Sequence, residues 1–343
     1  KTKFTKNNKV FIASATATIL TLSYFLIPTL YNKSTIQSQI KNHIIKKYNV
    51  SVKFNENIKY GLLPSPHFVA NNLSIIRDKK EIGVAKNFKI FMAINDFLKV
   101  NEIEIKDLSF NKTDFTVQKN DLLFFKELLE TEPNENSILI KNSNIFYKDE
   151  NEEVLFINKI FDSRFYYDSK NLQNVLLSKN RIFNVPYKLK IENNKFNKKF
   201  ITKFSSKKIR LNIENEFSYD EENKSGLLDI LFINNSTALS YKIKPNSIDF
   251  GSKNSKNNYN GTIEIKPFYL TASLDYEGLS TKNFFDDESL FIDLIKSEIF
   301  NNKNLNANIK FKLKDITNIA ELRDLFLNIN IKEGNINLSD SSL

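Results

Sequence analysis

The chain has 343 residues, a formal charge of +10, seven Gly, seven Pro and no Cys. The missing Cys excludes a disulfide-stapled scaffold, a thiolate metal site and a Cys nucleophile, and the length suffices for one large or two ordinary domains behind an anchor. The lysines are scattered among apolar residues rather than gathered on a reading helix, so solvated strand faces account for the charge and no nucleic-acid partner is expected.

Residues 1–9 carry Lys1, Lys3, Lys6 and Lys9 and no acid. From Val10 to Asn32 the chain is uncharged (VFIASATATILTLSYFLIPTLYN). A helix over that run covers about 34 Å at ~1.5 Å per residue, enough for a hydrocarbon core of about 30 Å. The competing reading is a cleaved signal, but its small residues Ala13, Ala15 and Ala17 lie near the start of the run, not at its far end. Thr16, Thr18, Thr21 and Ser23 are compatible with a membrane helix, because a hydroxyl can bond the carbonyl one turn earlier. Lys33, Lys41, Lys46 and Lys47 balance the leading lysines. Orientation is therefore set by the long domain that follows, which predicts a cytoplasmic tail, a single span and a translocated body.

Ser34 is placed to cap a helix running to Tyr48, with Ile36, Ile40, Ile44 and Ile45 on one face. His43 reads as a surface residue. Val50 to Ile58 alternates as a strand, and Lys59 to Ile76 (KYGLLPSPHFVANNLSII) is a Pro-containing turn into another strand. His67 reads as structural, since no second imidazole is near enough in sequence to build a metal site. Further strands are expected over Ile82 to Ala93, Val100 to Phe110 and at Phe115 and Val117, then a short amphipathic helix over Asp121 to Glu130.

An apolar helix, a short helix, the segment YNVSVKF, then GLLPSPHFVANNLSI, IGVAKNFKI and INDFLKVNEIEIKDLSF together resemble the N-terminal region of the AsmA family of bacterial envelope proteins. The resemblance covers roughly residues 10 to 130, and rests on the order of element types rather than on catalytic residues. Scarce Gly and an unmatched C-terminal part depart from the family pattern. The family is similar in architecture to bridge-like lipid-transfer proteins, long curled sheets whose apolar inner face holds acyl chains. That implies a bacterial inner-membrane span with a periplasmic body, phospholipid as ligand, the membrane and other envelope proteins as partners, and support of outer-membrane assembly.

From Ser137 onward nearly everything reads as strand: Ile138 to Lys141, Asn144 to Lys148, Val154 to Ile160, Arg164 to Asp168, then alternating runs at Tyr187 to Ile191 and Ile209 to Ile213. Leu227 to Ile233 is dense enough in apolar residues to be covered on both faces. Ile263 to Ile265 and Tyr269 to Leu274 follow, one helix is expected over Asn283 to Phe300, and strands resume at Asn308 to Lys314 and Leu327 to Leu338. Alternation over so many strands means sheets with one apolar and one wet face. By pattern alone two such faces close as a sandwich; the family resemblance implies an open groove instead.

The fold expected is mainly β, with one N-terminal transmembrane helix followed by an elongated, curled antiparallel sheet groove and a few short amphipathic helices. Its divisions are a tail at 1–9, the span at 10–32, the AsmA-like region at 33–130 and a groove or sandwich continuation at 131–343 that the sequence leaves open to truncation. Candidate groove-lining residues are Ile103, Ile105, Leu189, Ile191, Leu211, Ile213, Ile263, Ile265, Ile309, Phe311, Leu313, Leu327, Ile329 and Ile331.

No nucleotide loop, HExxH or GxSxG is present. The pairs Asp149/Glu150, Glu152/Glu153, Glu221/Glu222 and Asp286/Asp287 sit in polar turns or at a helix start and read as solvated charge. No catalytic residue, cofactor or metal is expected. The other readings are an anchored scaffold that docks an envelope protein through a sheet edge, and an anchored hydrolase.

Overall fold

The computed structural model describes residues 6–95, 97–99, 102–118, 121, 127–129, 136–219, 224–232, 235–252, 258–280, 303–317 and 323–342. The chain is mostly β, 62% strand and 15% helix, and the nineteen strands among the described residues belong to one mixed sheet that does not close. Two compact units divide it: residues 1–146 with 164–167, and residues 147–163 with 168–343.

In the first unit, α1 (Lys6–Leu26) leads through a 3-10 turn (Ile27–Leu30) into α2 (Lys33–Tyr48). Lys9–Leu30 is long and apolar enough to cross a membrane, and it is exposed as far as Ser23, beyond which Tyr24, Phe25, Ile27 and Pro28 are partly or fully covered. The Thr18 and Thr21 hydroxyls bond the Ser14 and Ala17 carbonyls, both at 2.9 Å, which hides their polarity as a bilayer would require. The α2 cap is Asn32 rather than Ser34: its Oδ1 accepts from the Ser34 and Thr35 backbone N–H groups at 3.0 and 3.3 Å. Ile36, Ile40, Ile44 and Tyr48 are buried, whereas Ile45 is exposed, because position 45 turns off the face that 36, 40 and 44 share.

That buried face is covered by β1 (Ser51–Phe54), β2 (Lys59–Gly61), β3 (His67–Arg77), β4 (Lys80–Met92) and β5 (Ile105–Val117). Strands β1 and β2 both pair antiparallel with β3, which pairs with β4, and β4 with β5. The core is Val52, Phe68, Ala70, Leu73, Phe88, Ile90 and Leu108 with the α2 isoleucines. At one level the alternation of covered residues slips in β3, β4 and β5, passing from Ala70 to Leu73, from Ala85 to Phe88 and from Phe110 to Thr113. Each strand spends two successive polar residues there (Asn71 and Asn72, Lys86 and Asn87, Asn111 and Lys112), and Asn72 and Lys112 take φ of 51° and 54°. Because the slips coincide, pairing continues on both sides, with Phe88 opposite Ala70 and Phe110, and Ala85 opposite Leu73 and Thr113. This crease explains why two expected strands, one ending at Phe110 and one holding Phe115 and Val117, are a single strand, β5. It also continues into β6 (Ser137–Lys148), where Asn142 has φ of 49° and donates to Asn111 at 3.2 Å. The two runs expected either side of Asn142 are therefore one strand, as are those within β7 (Val154–Asp168). Of the helix expected over 121–130, residues 127–129 are helical, Asp121 is a 3-10 position, and 122–126 and 130 lie outside the described residues.

The second unit is built from β8 (Gln173–Ile182), β9 (Val185–Asn194), β10 (Lys199–Ser206), β11 (Leu211–Tyr219), β12 (Lys224–Phe232) and β13 (Asn235–Ile243). It continues with β14 (Ser247–Ser252), β15 (Asn258–Ile265), β16 (Phe268–Ser280), β17 (Ala307–Thr317), β18 (Arg323–Lys332) and β19 (Asn335–Asn337). Each strand pairs with the next in antiparallel order, except that β16 and β17 run parallel. The helix expected over Asn283 to Phe300 lies outside the described residues. Short turns carry the hairpins: Phe183 and Asn184 have φ of 46° and 61°, and Glu333 and Gly334 have 51° and 79°, the sign that a two-residue turn needs to match strand twist. The second of these turns splits the run expected over Leu327 to Leu338. The described strands form one sheet rather than the two packed sheets that a sandwich requires.

Candidate apolar sheet face

Directly paired residues of neighbouring strands share a sheet face, so the register assigns each candidate a side. Leu189 pairs with Phe204, Phe204 with Ile213 and Ile213 with Ile230. Further along, Ile248 pairs with Ile263, Ile263 with Leu270, Leu270 with Ala307 and Ala307 with Ile331. Phe311 pairs with Leu274 and Leu327, and Ile309 with Ala272 and Ile329. With Leu228–Leu239 and Tyr241–Phe250 joining the two series, every candidate from Leu189 to Ile331 falls on one face. Ile103 and Ile105 lie elsewhere, against the core under α2, where the Ile103 N–H donates to Gln39 Oε1 at 3.0 Å.

Across β8 to β19 this face is uncharged apart from strand-end positions such as Lys224 and Asp315. The opposite face carries ion pairs, Lys199–Glu216 at 2.6 Å, Lys190–Glu192 at 2.9 Å, Lys203–Glu214 and Lys244–Asp249. The uncharged face is only half covered: Leu189, Ile213, Phe217, Ile230, Phe250, Ile309, Phe311 and Ile329 all retain some contact with solvent, and Ile265 is exposed. Leu313 and Ile331 are buried. Leu227 and Leu231 are 40% and 42% exposed on the other side, so β12 is not covered on both faces.

The face is paved by rings lying across the strands. Three tyrosines each cross one strand and donate to an asparagine on the next: Tyr187 to Asn158 at 3.1 Å, Tyr219 to Asn193 at 3.0 Å and Tyr241 to Asn215 at 2.8 Å. Tyr241 passes over Gly226, where a Cβ would stand 2.4 Å from its hydroxyl, and stacks on Phe217 at 6.2 Å. Phe250 similarly lies over Gly261. The bridges turn each phenol into apolar paving by satisfying its hydroxyl. Burial raises the Tyr187 and Tyr241 pKa against the pull of those hydrogen bonds, and raises that of Tyr276 with help from the adjoining Tyr259. Sequence reading missed the bridging tyrosines as a set, and also strands β8, β10 and β13, whose Asn, Ser and Lys content masks their alternation, and the six-residue β14.

Other groups gather little chemistry. His43 sits in a polar recess with Lys47, Glu102 and Asn136; burial first, and the Lys47 ammonium second, hold its pKa below the ordinary value. His67 is buried against Phe91, its Nδ1 2.7 Å from the Ser65 carbonyl. Asp149 caps its turn through the Asn151 and Glu153 N–H groups, and Glu152 pairs with Lys148 at 3.2 Å. Glu221, Glu222, Asp286 and Asp287 lie outside the described residues. Among the described residues no three His, Asp or Glu side chains are grouped to hold a metal ion.

No protein-family profile and no curated protein matches the chain. Among solved structures, the crystal structure of Sex pheromone staph-cAM373 precursor aligns over 90% of this chain and 88% of that one, at 8% identity and a TM-score of 0.15. A likeness that slight carries no argument about fold or function.

Proposed function

We propose that this is an AsmA-like, inner-membrane-anchored protein whose periplasmic body binds phospholipid on the uncharged sheet face and conducts it between membranes in support of outer-membrane assembly. The observation that carries the reading is the placement of Leu189 to Ile331 on one continuous, half-covered, uncharged face. Each acyl methylene removed from water is worth about 0.8 kcal/mol, so such a face holds a chain by area alone while a head group at its margin stays wet. An open sheet offers no fixed stopping point, which suits passage along it, and the work requires no catalytic group. The Tyr–Asn bridges keep hydroxyls from competing for the lipid's polar groups.

The test is native mass spectrometry of the full chain purified in mild detergent, with lipid extraction alongside. Phospholipid retained in stoichiometric amount after detergent exchange is expected. A lipid-free mass with a cooperative, high melting transition would instead point to a scaffold that docks another envelope protein. Phe311→Asp and Ile329→Asp should abolish retention while leaving the circular dichroism spectrum unchanged, since both sites keep access to water; loss of the fold would mean that the face is a closed core.

A further inference from the structure

The anchor helix is fastened to the first unit from within its own apolar window. Tyr24 donates to the Ile94 carbonyl at 2.5 Å and stacks on Phe97 at 5.4 Å. Tyr60 donates to the Phe25 carbonyl at 2.5 Å, satisfying one of the acceptors a helix C-terminus leaves open. Tyr31, just past the window, donates to the Phe97 carbonyl at 2.7 Å. Tyr24 precedes the end of the window, Leu30, by six residues (30 − 24), about 9 Å along a helix. The polar layer of a leaflet is only about 5–8 Å deep outside the hydrocarbon. A loop bonded to Tyr24 therefore cannot stand in bulk water when the window spans a bilayer.

The apolar exposure is arranged accordingly. Leu98 is 74% exposed and Ile94 45%, on the loop that binds Tyr24. Leu63 is 81% exposed at the tip between β2 and β3, beyond the Tyr60 that grips Phe25, and Leu30 is 82% exposed at the end of the window itself. Both loops leave the same end of the sheet: His67 pairs with Phe91, and Met92 N–H bonds the Pro66 carbonyl at 3.3 Å.

We infer that the 62–66 loop and residues 93–95 with 97–99 insert Leu63, Ile94 and Leu98 into the acyl-headgroup boundary of the leaflet the helix enters, so that the first unit is seated on the bilayer rather than tethered above it. The occupant is the bilayer itself, because these residues continue the surface of a membrane-spanning helix. The inference rests on the anchor reading and is independent of lipid binding by the second unit.

The chain has no Trp, so each single-Trp variant reports one position. Leu63→Trp, Leu98→Trp, Leu20→Trp in the helix and Phe196→Trp at the β9–β10 turn would be made in the full chain and placed in phosphatidylcholine nanodiscs, with and without acyl chains brominated near the head group or, for position 20 at the middle of the window, near the methyl end. All four sites are exposed, so the core is left intact. Emission from Trp at 63 and 98 should fall at least twofold with brominated lipid while Trp at 196 is unchanged. Quenching at 20 with none at 63 and 98 overturns the seating and leaves the anchor standing. A blue shift without quenching, as burial against a second copy would give, overturns it too. No quenching at 20 removes the anchor and the seating together.

Discussion

Each bridging tyrosine couples three strands through one hydroxyl, and the cost of losing it falls on its partner. Tyr241→Phe leaves the Asn215 side-chain Oδ1 without this donor, which should cost about 1 kcal/mol; denaturant unfolding with an unchanged midpoint would show that the bridge adds nothing. Two of these hydroxyls, together with that of Tyr276, set a pH limit. Burial raises the pKa of Tyr187, Tyr241 and Tyr276 above the ordinary 10.0. A folded value above the unfolded one favours the neutral phenol in the folded state. Their contribution is thus complete below about pH 10 and is lost as pH rises from there through the folded values. Unfolding midpoints should decline above about pH 10, and Tyr276→Phe should flatten part of that decline; an undiminished slope in the variant would assign it to other groups.

Among the strands, two glycines mark where rings cross, and they differ in what they can yield. At Gly226 an added Cβ meets the far end of the Tyr241 side chain, which can swing aside by giving up Asn215. At Gly261 it would stand 2.3 Å from the Thr271 backbone oxygen as well as against Phe250. Gly261→Ala should therefore cost about 2 to 3 kcal/mol and Gly226→Ala closer to 1, and thermal melts that reverse this order would refute the assignment. The elements themselves were legible where alternation was clean, as in β17 and β18. They were lost where polar residues occupy both faces, as in β10 and β13, and were split in two where the crease at Lys112 and Asn142 interrupts the period.

For the chain as a whole, an exposed apolar helix at one end and an uncharged sheet face in the second unit are both surfaces that water disfavours. The first predicts fractionation: the full chain should stay with membranes through carbonate and high-salt washes and be released by detergent, whereas release by carbonate would contradict a spanning helix. The second is the surface that the lipid-retention experiment reads.

Composition and local periodicity by themselves determined the apolar run, the α2 face built on Ile36, Ile40 and Ile44, the β-rich class and which residues alternate, because these depend on spacings of two to four residues. Only the tertiary structure decided that Leu189 through Ile331 share one side, that β16 and β17 run parallel, that Ile103 and Ile105 belong to a core under a helix, and that tyrosines bridge to asparagines two strands away. Register is set between strands and across turns, so a residue's partners are a non-local property that no single strand's pattern contains.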